Sequence, residues 1–280
     1  MKSLRHLLTL VALLTILPAA SAFEGDSVPV PSHVSHESLD RLLQKYVNDR
    51  GLVAYAAWKN NETDLAALDA YLTQFAAKPT TPATGNDQAA SLINLYNATT
   101  IRWIIANYPT ASIQALPDSF GTKRHDIGGA KVSLNDIEHG SVRPLLGYRA
   151  HAVLVCAARS CPPLQRFAYT PDQLDEQIDT AYRAWLSRED LNRFLPAENK
   201  VEISGIFNWF AEDFEKVGGV KKVLPKYAPE KYHDFLAGGD YEITYLPYNW
   251  GLNDQGATGE GYSRMRMIWD RILDVITFWN

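Results

Sequence analysis

The chain has 280 residues, with 27 Lys and Arg against 32 Asp and Glu and a formal net charge of −5. That acidic balance excludes the positive footprint of a nucleic-acid binder. With 46% hydrophobic and 11% aromatic residues, the chain has enough apolar material for one large domain or two small ones.

The first stretch, "MKSLRHLLTLVALLTILPAASAFEG", sets Lys2 and Arg5 ahead of an apolar run from Leu7 to Leu17 and then small residues. This is the pattern of a secretory signal peptide. The run stops at Pro18, short of the roughly 20 apolar residues that a membrane span needs. Ala20 and Ala22 place the cut before Phe23, so residues 1–22 are expected to be removed. Only the two bases Lys2 and Arg5 go with them, so −5 becomes −7. The mature chain is expected to be periplasmic or secreted, with no transmembrane segment.

Residues 23–34, "FEGDSVPVPSHV", carry turn and Pro signals without periodicity and read as an exposed leader. Residues 35–280 read as a single domain. Ser35 is placed to cap a helix with Leu39, Leu42, Leu43, Tyr46 and Val47 on one face. "LVAYAAW" alternates as a short strand or extended segment. "ETDLAALDAYLTQFAA" puts Leu65, Leu68, Leu72 and Phe75 on one helical stripe. "NDQAASLINLYNATTIRWIIANYP" is apolar around most of its circumference, so it predicts a helix packed on several sides. Asn94 and Asn97 then share a face inside that helix and require partners, because a buried unpaired amide is costly.

"KRHDIGGAKVSLNDIEHGSVRPLLG" predicts a hairpin turning at Gly128-Gly129 and a short helix opened by a Ser133/Asp136 capping box, with Glu138 and His139 on it. "HAVLVC" is apolar on both faces of an extended run and reads as a central strand. Thr170, Pro171 and Gln173 form a helix start. "KVEIS" reads as a strand and "GIFNWFAEDFEKVGG" as a helix with Phe207, Phe210 and Phe214 on one side. A Pro-interrupted helical stretch spans 220–237, "YEITYLPYNWGLN" begins as a strand, and the apolar tail "MRMIWDRILDVITFWN" is expected to dock on the body. Helices outnumber strands in irregular order, so the predicted class is α+β, a helix-rich domain around a small sheet.

Both cysteines fall in "HAVLVCAARSCPPL". In an exported chain a disulfide is the ordinary expectation, yet a Cys156–Cys161 ring is short and gains little from chain entropy. A metal reading recruits His139, His151, Cys156 and Cys161, but no second cysteine pair or H-x3-H accompanies them; neither metal nor cofactor is expected. For nucleophilic chemistry a thiol needs a base within reach. If 151–156 is a strand, odd separation points His151 and Cys156 to opposite faces, which leaves His139 as the base. Cys161, in the loop beside Arg159, is then the better nucleophile, since a nearby cation lowers a thiol pKa. Asp213 with Glu212, or Glu138 with Asp136, read as acids on solvated helix faces.

Five blocks in order, "INLYNATTI", "SLNDIEHGSVRP", "HAVLVCAARSCPPL", "IFNWFAEDF" and "YLPYNWGLN", together resemble the bacterial domain-of-unknown-function family 547 over Ala89 to Asn253. The resemblance implies that Asn94, Tyr96, Asn97, Glu138, His139, Arg143, His151, both cysteines and Pro162 are signature positions. It further suggests a fold similar to the papain and transglutaminase type. Leu92 replaces a common aromatic, and Val155 replaces the Asn that commonly precedes the first cysteine, which puts a polar donor there in doubt.

The combined expectation is a polar cleft. Cys161 serves as nucleophile, His139 as base, Glu138 or Asn94 as orienting group and Arg159 as electrostatic helper. Tyr96, Asn97, Arg143, His151 and Cys156 are the binding residues. The reaction is thiol-dependent hydrolysis or acyl/amide transfer on peptide-like or envelope material. The alternative is a disulfide-closed periplasmic ligand-binding or scaffold protein without catalysis.

Overall fold

The computed structural model describes residues 27–260 and 262. The signal-peptide segment and the apolar tail from Met265 lie outside the described residues.

Helices dominate. α1 (Glu37–Tyr46), α2 (Tyr55–Lys59) and α3 (Glu62–Thr73) lead to the 23-residue α4 (Gly85–Asn107), whose residues from Ala89 to Ile101 are all buried. α4 is the axis of the fold. It packs against α2, α3, α5 (Leu134–Ile137) and the π-turn Glu138–Val142 that follows α5. α6 (Arg143–Leu146) completes that run. β1 (His125–Ile127) and β2 (Ala130–Val132) form the predicted hairpin, with Gly128 and Gly129 at φ +63° and +81°; two residues at positive φ are what a tight hairpin turn needs. The Ser133/Asp136 capping box is present in both directions, as expected.

Beyond α7 (Leu174–Leu186), a second small sheet pairs β3 (Arg193–Leu195) antiparallel with β4 (Lys200–Ser204), and β4 parallel with β5 (Glu242–Leu246). Between β4 and β5 lie α8 (Ile206–Trp209), α9 (Ala211–Glu215), α10 (Val220–Tyr227) and α11 (His233–Ala237). The buried apolar residues form one continuous cluster, and the architecture is α+β.

Several local expectations change. The leader is only partly exposed: His33 faces solvent, but two of its valines do not. Val28 and Val30 are buried, Val28 N–H donates to Ser141 Oγ, and Val30 C=O accepts from Ala83 N–H. Ser35 does not cap α1, whose N-cap is His36 without a side-chain bond. The buried His36 ring instead meets Tyr71 Oη at 2.9 Å. "LVAYAAW" keeps only bridges at Val53 before turning into α2. Thr170 makes no side-chain cap. Its backbone N–H is taken by Gln177 Oε1 rather than Gln173, because a 3-10 turn (Pro171–Gln173) displaces the helix start. The phenylalanine helix breaks into α8 and α9 at Phe210.

The largest departure is "HAVLVC". A 3-10 turn (Gly147–Ala152) occupies its start, and 153–156 joins no sheet. The backbone groups that a sheet would pair are held by α4 instead. Asn97 Nδ2 donates to Val153 C=O at 2.8 Å, and Asn97 Oδ1 accepts from Val155 N–H at 2.9 Å. Asn94 does the same for Tyr169, with Nδ2 to its C=O at 2.8 Å and Oδ1 from its N–H at 2.9 Å. A primary amide, with a donor and an acceptor side by side, reproduces a strand neighbour for one residue step. Replacing Asn97 with Ala strands a buried N–H and a buried C=O at once. We expect a loss of about 2–4 kcal/mol, measured by urea unfolding with the disulfide intact, against under about 0.5 kcal/mol for the exposed control Lys131→Ala.

Candidate functional site

Because 151–156 is not a strand, the parity argument that separated His151 from Cys156 does not hold. Both line one cleft of about 330 Å³, together with Cys161, Glu138, His139 and Tyr96. The size suits a small organic ligand. Two larger cavities, of about 430 and 670 Å³, lie along Asp69 to Ile127 and along Leu186 to Tyr232. Neither holds any of the residues singled out from the sequence, whereas this cleft gathers a carboxylate, two imidazoles and both sulfurs.

The sulfurs are bonded to each other. Cys156 and Cys161 form a disulfide, and no cysteine of the chain is free. The two ends of the ring differ. Cys156 is half-buried and Cys161 only 4% exposed, the reverse of what a reactive Cys161 requires. Cys156 N–H donates to Cys161 Sγ at 3.1 Å, and Tyr248 Oη lies 3.2 Å from Cys161 Sγ and 3.4 Å from Cys156 Sγ. Between the cysteines, buried Ala157 takes φ +61°, a left-handed conformation that costs an alanine about 1 kcal/mol. The final family-like block holds the loop in place. Asn253 N–H donates to Ala157 C=O, Arg159 N–H to Gly251 C=O, Ser160 N–H to Asn249 C=O, and Asn249 N–H to Ser160 Oγ. Arg159 points its guanidinium to the Asp254 and Gly256 carbonyls and toward Glu260 at 3.8 Å, outside the cleft lining. It is therefore a loop clamp and not a helper to a thiol.

The histidines are set by a charged group that the sequence reading assigned to solvent. Asp213 is buried, and its carboxylate accepts from His151 Nε2 at 2.9 Å, Arg143 Nε at 2.8 Å and Lys216 Nζ at 3.0 Å. Burial pushes the carboxyl up, but the bonds from His151, Arg143 and Lys216 outweigh it and hold Asp213 well below the ordinary carboxylate range. Burial lowers the His151 pKa against the pull of Asp213. The neutral ring thus carries its proton on Nε2, facing the carboxylate, and Nδ1 holds the lone pair. His151 also stacks on Phe210, with centroids 4.2 Å apart.

His139 is treated differently. Arg143 Nη1 lies 3.0 Å from its Nδ1, and a guanidinium only donates. The Nδ1 of His139 is therefore an acceptor, and the neutral ring has its proton on Nε2. Burial lowers its pKa, with Glu138 opposing and Arg143 adding. The residue expected to be a base is arranged as a hydrogen-bond donor, and the base-like imidazole with an acid behind it is His151. Glu138 bonds the Tyr96 hydroxyl, whose pKa burial and that carboxylate raise well above the phenol value. The π-turn that presents Glu138 and His139 is the kind of helix irregularity that recurs at functional sites.

Residues 81–186 match the family described as "Protein of unknown function, DUF547". No curated protein and no solved structure matches the chain, so the papain and transglutaminase relation stays an expectation. Of the DUF547-like signature positions, Tyr96, Glu138, His139, His151 and both cysteines line the cleft. Asn94 and Asn97 do not. Their amides are spent on backbone, so their assigned catalytic and binding roles become structural. Arg143 acts one step back, bonding Asp213, Glu212 and His139.

Sequence reading missed the aromatic wall, comprising Phe120, Trp209, Phe210, Tyr248 and Trp250. Trp209 and Trp250 lie parallel at 6.0 Å with Tyr248 at 4.7 Å from each, and Trp209 is 49% exposed. The aromatic density of "FNWF" and "YNW" was the available signal. Among the described residues no group of three or more His, Cys, Asp or Glu is arranged to hold a metal ion.

Asp213→Asn removes the buried carboxylate that pairs with half-buried Arg143, which still meets Glu212 at 2.6 Å. Losing charge-assisted bonds of this kind is expected to cost about 1.5–3 kcal/mol, whereas Glu212→Gln, at an exposed partner, changes stability by under about 1 kcal/mol. The folded pKa of Asp213 is depressed, so its contribution is full above the unfolded value near pH 4 and fades as pH falls toward the folded value. Urea unfolding from pH 7 to pH 2 is expected to show the mutant deficit shrinking only below about pH 4.

Proposed function

We propose that the chain is an exported, disulfide-closed ligand-binding protein, whose cleft takes a small organic molecule with a flat apolar part and a polar group. The observation that carries this reading is the Cys156–Cys161 disulfide in the cleft lining. A nucleophilic mechanism needs a thiolate, and the bonded pair supplies none. What remains in the lining suits recognition: aromatic faces for apolar contact, the Glu138 carboxylate as acceptor and a neutral His139 as donor. A disulfide also fits an oxidising compartment, in line with the signal-peptide pattern.

A second reading follows from one geometric fact. His151, backed by Asp213, and Cys156 share the cleft. In a reduced protein a thiol-dependent hydrolase or acyl transferase on peptide-like envelope material would use Cys156 as nucleophile and His151 as base, in place of Cys161 and His139.

The test is a thermal-shift and tryptophan-fluorescence screen of the oxidised protein against envelope-derived peptides and saccharides. The binding reading expects a ligand whose affinity falls at least about tenfold in Trp209→Ala while the fold persists. It is overturned if no compound binds the oxidised protein and the reduced protein instead cleaves a peptide or ester in a manner abolished by Cys156→Ser.

A further inference from the structure

We infer that the Cys156–Cys161 disulfide is an exchange site with a fixed direction: a thiol-bearing partner attacks Cys156 through the cleft, and Cys161 is the leaving sulfur. Three observations carry it, and none depends on what ligand the cleft binds.

The first is access. Cys156 is half-buried in the cleft lining, while Cys161 is 4% exposed and packed in the core cluster. Exchange requires an incoming thiolate to reach one sulfur; both cysteines line the cleft, and Cys156 is the more exposed of the two.

The second is the leaving group. A buried thiolate is unfavourable by itself, but Cys161 Sγ has two donors in place, the Cys156 backbone N–H at 3.1 Å and the Tyr248 hydroxyl at 3.2 Å. Burial and the nearby Glu138 keep that hydroxyl protonated, so it donates. Lower basicity of the departing thiolate speeds its departure.

The third is the frame. Residues 157–160 are tied to 249–253 by backbone hydrogen bonds that do not involve either sulfur. The ring closes only five residues of separation, so it contributes little to chain entropy. The loop is built to survive opening and to hold the two thiols close for reclosure.

A partner thiolate bonds to Cys156 Sγ, the S–S bond to Cys161 breaks, and its electron pair leaves on Cys161 Sγ. The partner's second thiol, deprotonated, then attacks its own mixed-disulfide sulfur and expels the Cys156 thiolate. The partner dithiol is oxidised by two electrons to a disulfide, and this chain is reduced to two thiols, which take up two protons. In this direction the chain is a dithiol oxidant; run backward, the same steps make its dithiol a reductant of a partner disulfide.

The experiment exposes the full-length oxidised protein to a small excess of reduced glutathione at pH 7.5, quenches by alkylation at intervals, and maps the adducts by mass spectrometry. The expected result is glutathione on Cys156 with the alkylating group on Cys161. In Cys161→Ser the mixed disulfide formed from oxidised glutathione accumulates on Cys156, and Tyr248→Phe slows ring opening about tenfold. Glutathione found first on Cys161, or reduction of both variants' parent only at the global unfolding rate, overturns the proposal. An unchanged rate in Tyr248→Phe overturns the role of the Tyr248 hydroxyl as donor to the leaving sulfur. Ligand binding in the cleft is scored separately by fluorescence, so failure of one reading does not imply failure of the other.

Discussion

Two asparagine side chains on a buried helix carry the geometry on which the site depends. Asn97 takes the place of a neighbouring strand for Val153 and Val155, and Asn94 does the same for Tyr169. An apolar run with six residues of strand-like composition is thereby kept out of a sheet. Backbone polar groups in a buried segment must be paired somewhere, and here the partner is side chain, one residue step at a time. The result is a segment free to turn, which brings His151 and Cys156 to the same cleft.

Around that anchored segment the rest assembles in shells. The capping box at Ser133 starts a helix that passes into a π-turn, and the turn presents Glu138 and His139. Arg143 comes one turn later and ties His139 to Asp213, which in turn orients His151. One buried carboxylate thus sets the tautomer of one imidazole directly and of the other through an arginine. The two rings end with opposite polarity toward a ligand: His139 has Nε2–H as its proton-bearing nitrogen, and His151 has Nδ1 as its lone-pair nitrogen. The last block, Tyr245 to Asn253, locks the cysteine loop and supplies the Tyr248 hydroxyl beside both sulfurs.

Much of this was readable from sequence where local rules govern. The all-round apolar pattern of α4, the Gly128-Gly129 hairpin and the Ser133/Asp136 box each follow from short-range physics, and each stands in the structure. The need of Asn94 and Asn97 for partners was also readable, because buried amides are costly. The identity of those partners was not, since they lie 56 to 75 residues away in the chain. The same limit explains the errors. "HAVLVC" has strand composition, but its hydrogen bonds were already claimed by α4, and tertiary context overrides propensity. Asp213 looked like a solvated helix acid because sequence does not show that Arg143, 70 residues earlier, meets it. Pairing of Cys156 with Cys161 was the ordinary expectation for an exported chain, and it stands.

The α4 amides, and not a sheet, hold the cysteine-bearing segment. Native-state amide hydrogen exchange at Val155 and Tyr169 tests it directly. If Asn97 and Asn94 hold these N–H groups as described, both amides exchange only through global unfolding, with protection equal to that of the α4 core. Exchange of Val155 at the rate of an exposed loop, with the α4 core still protected, contradicts it.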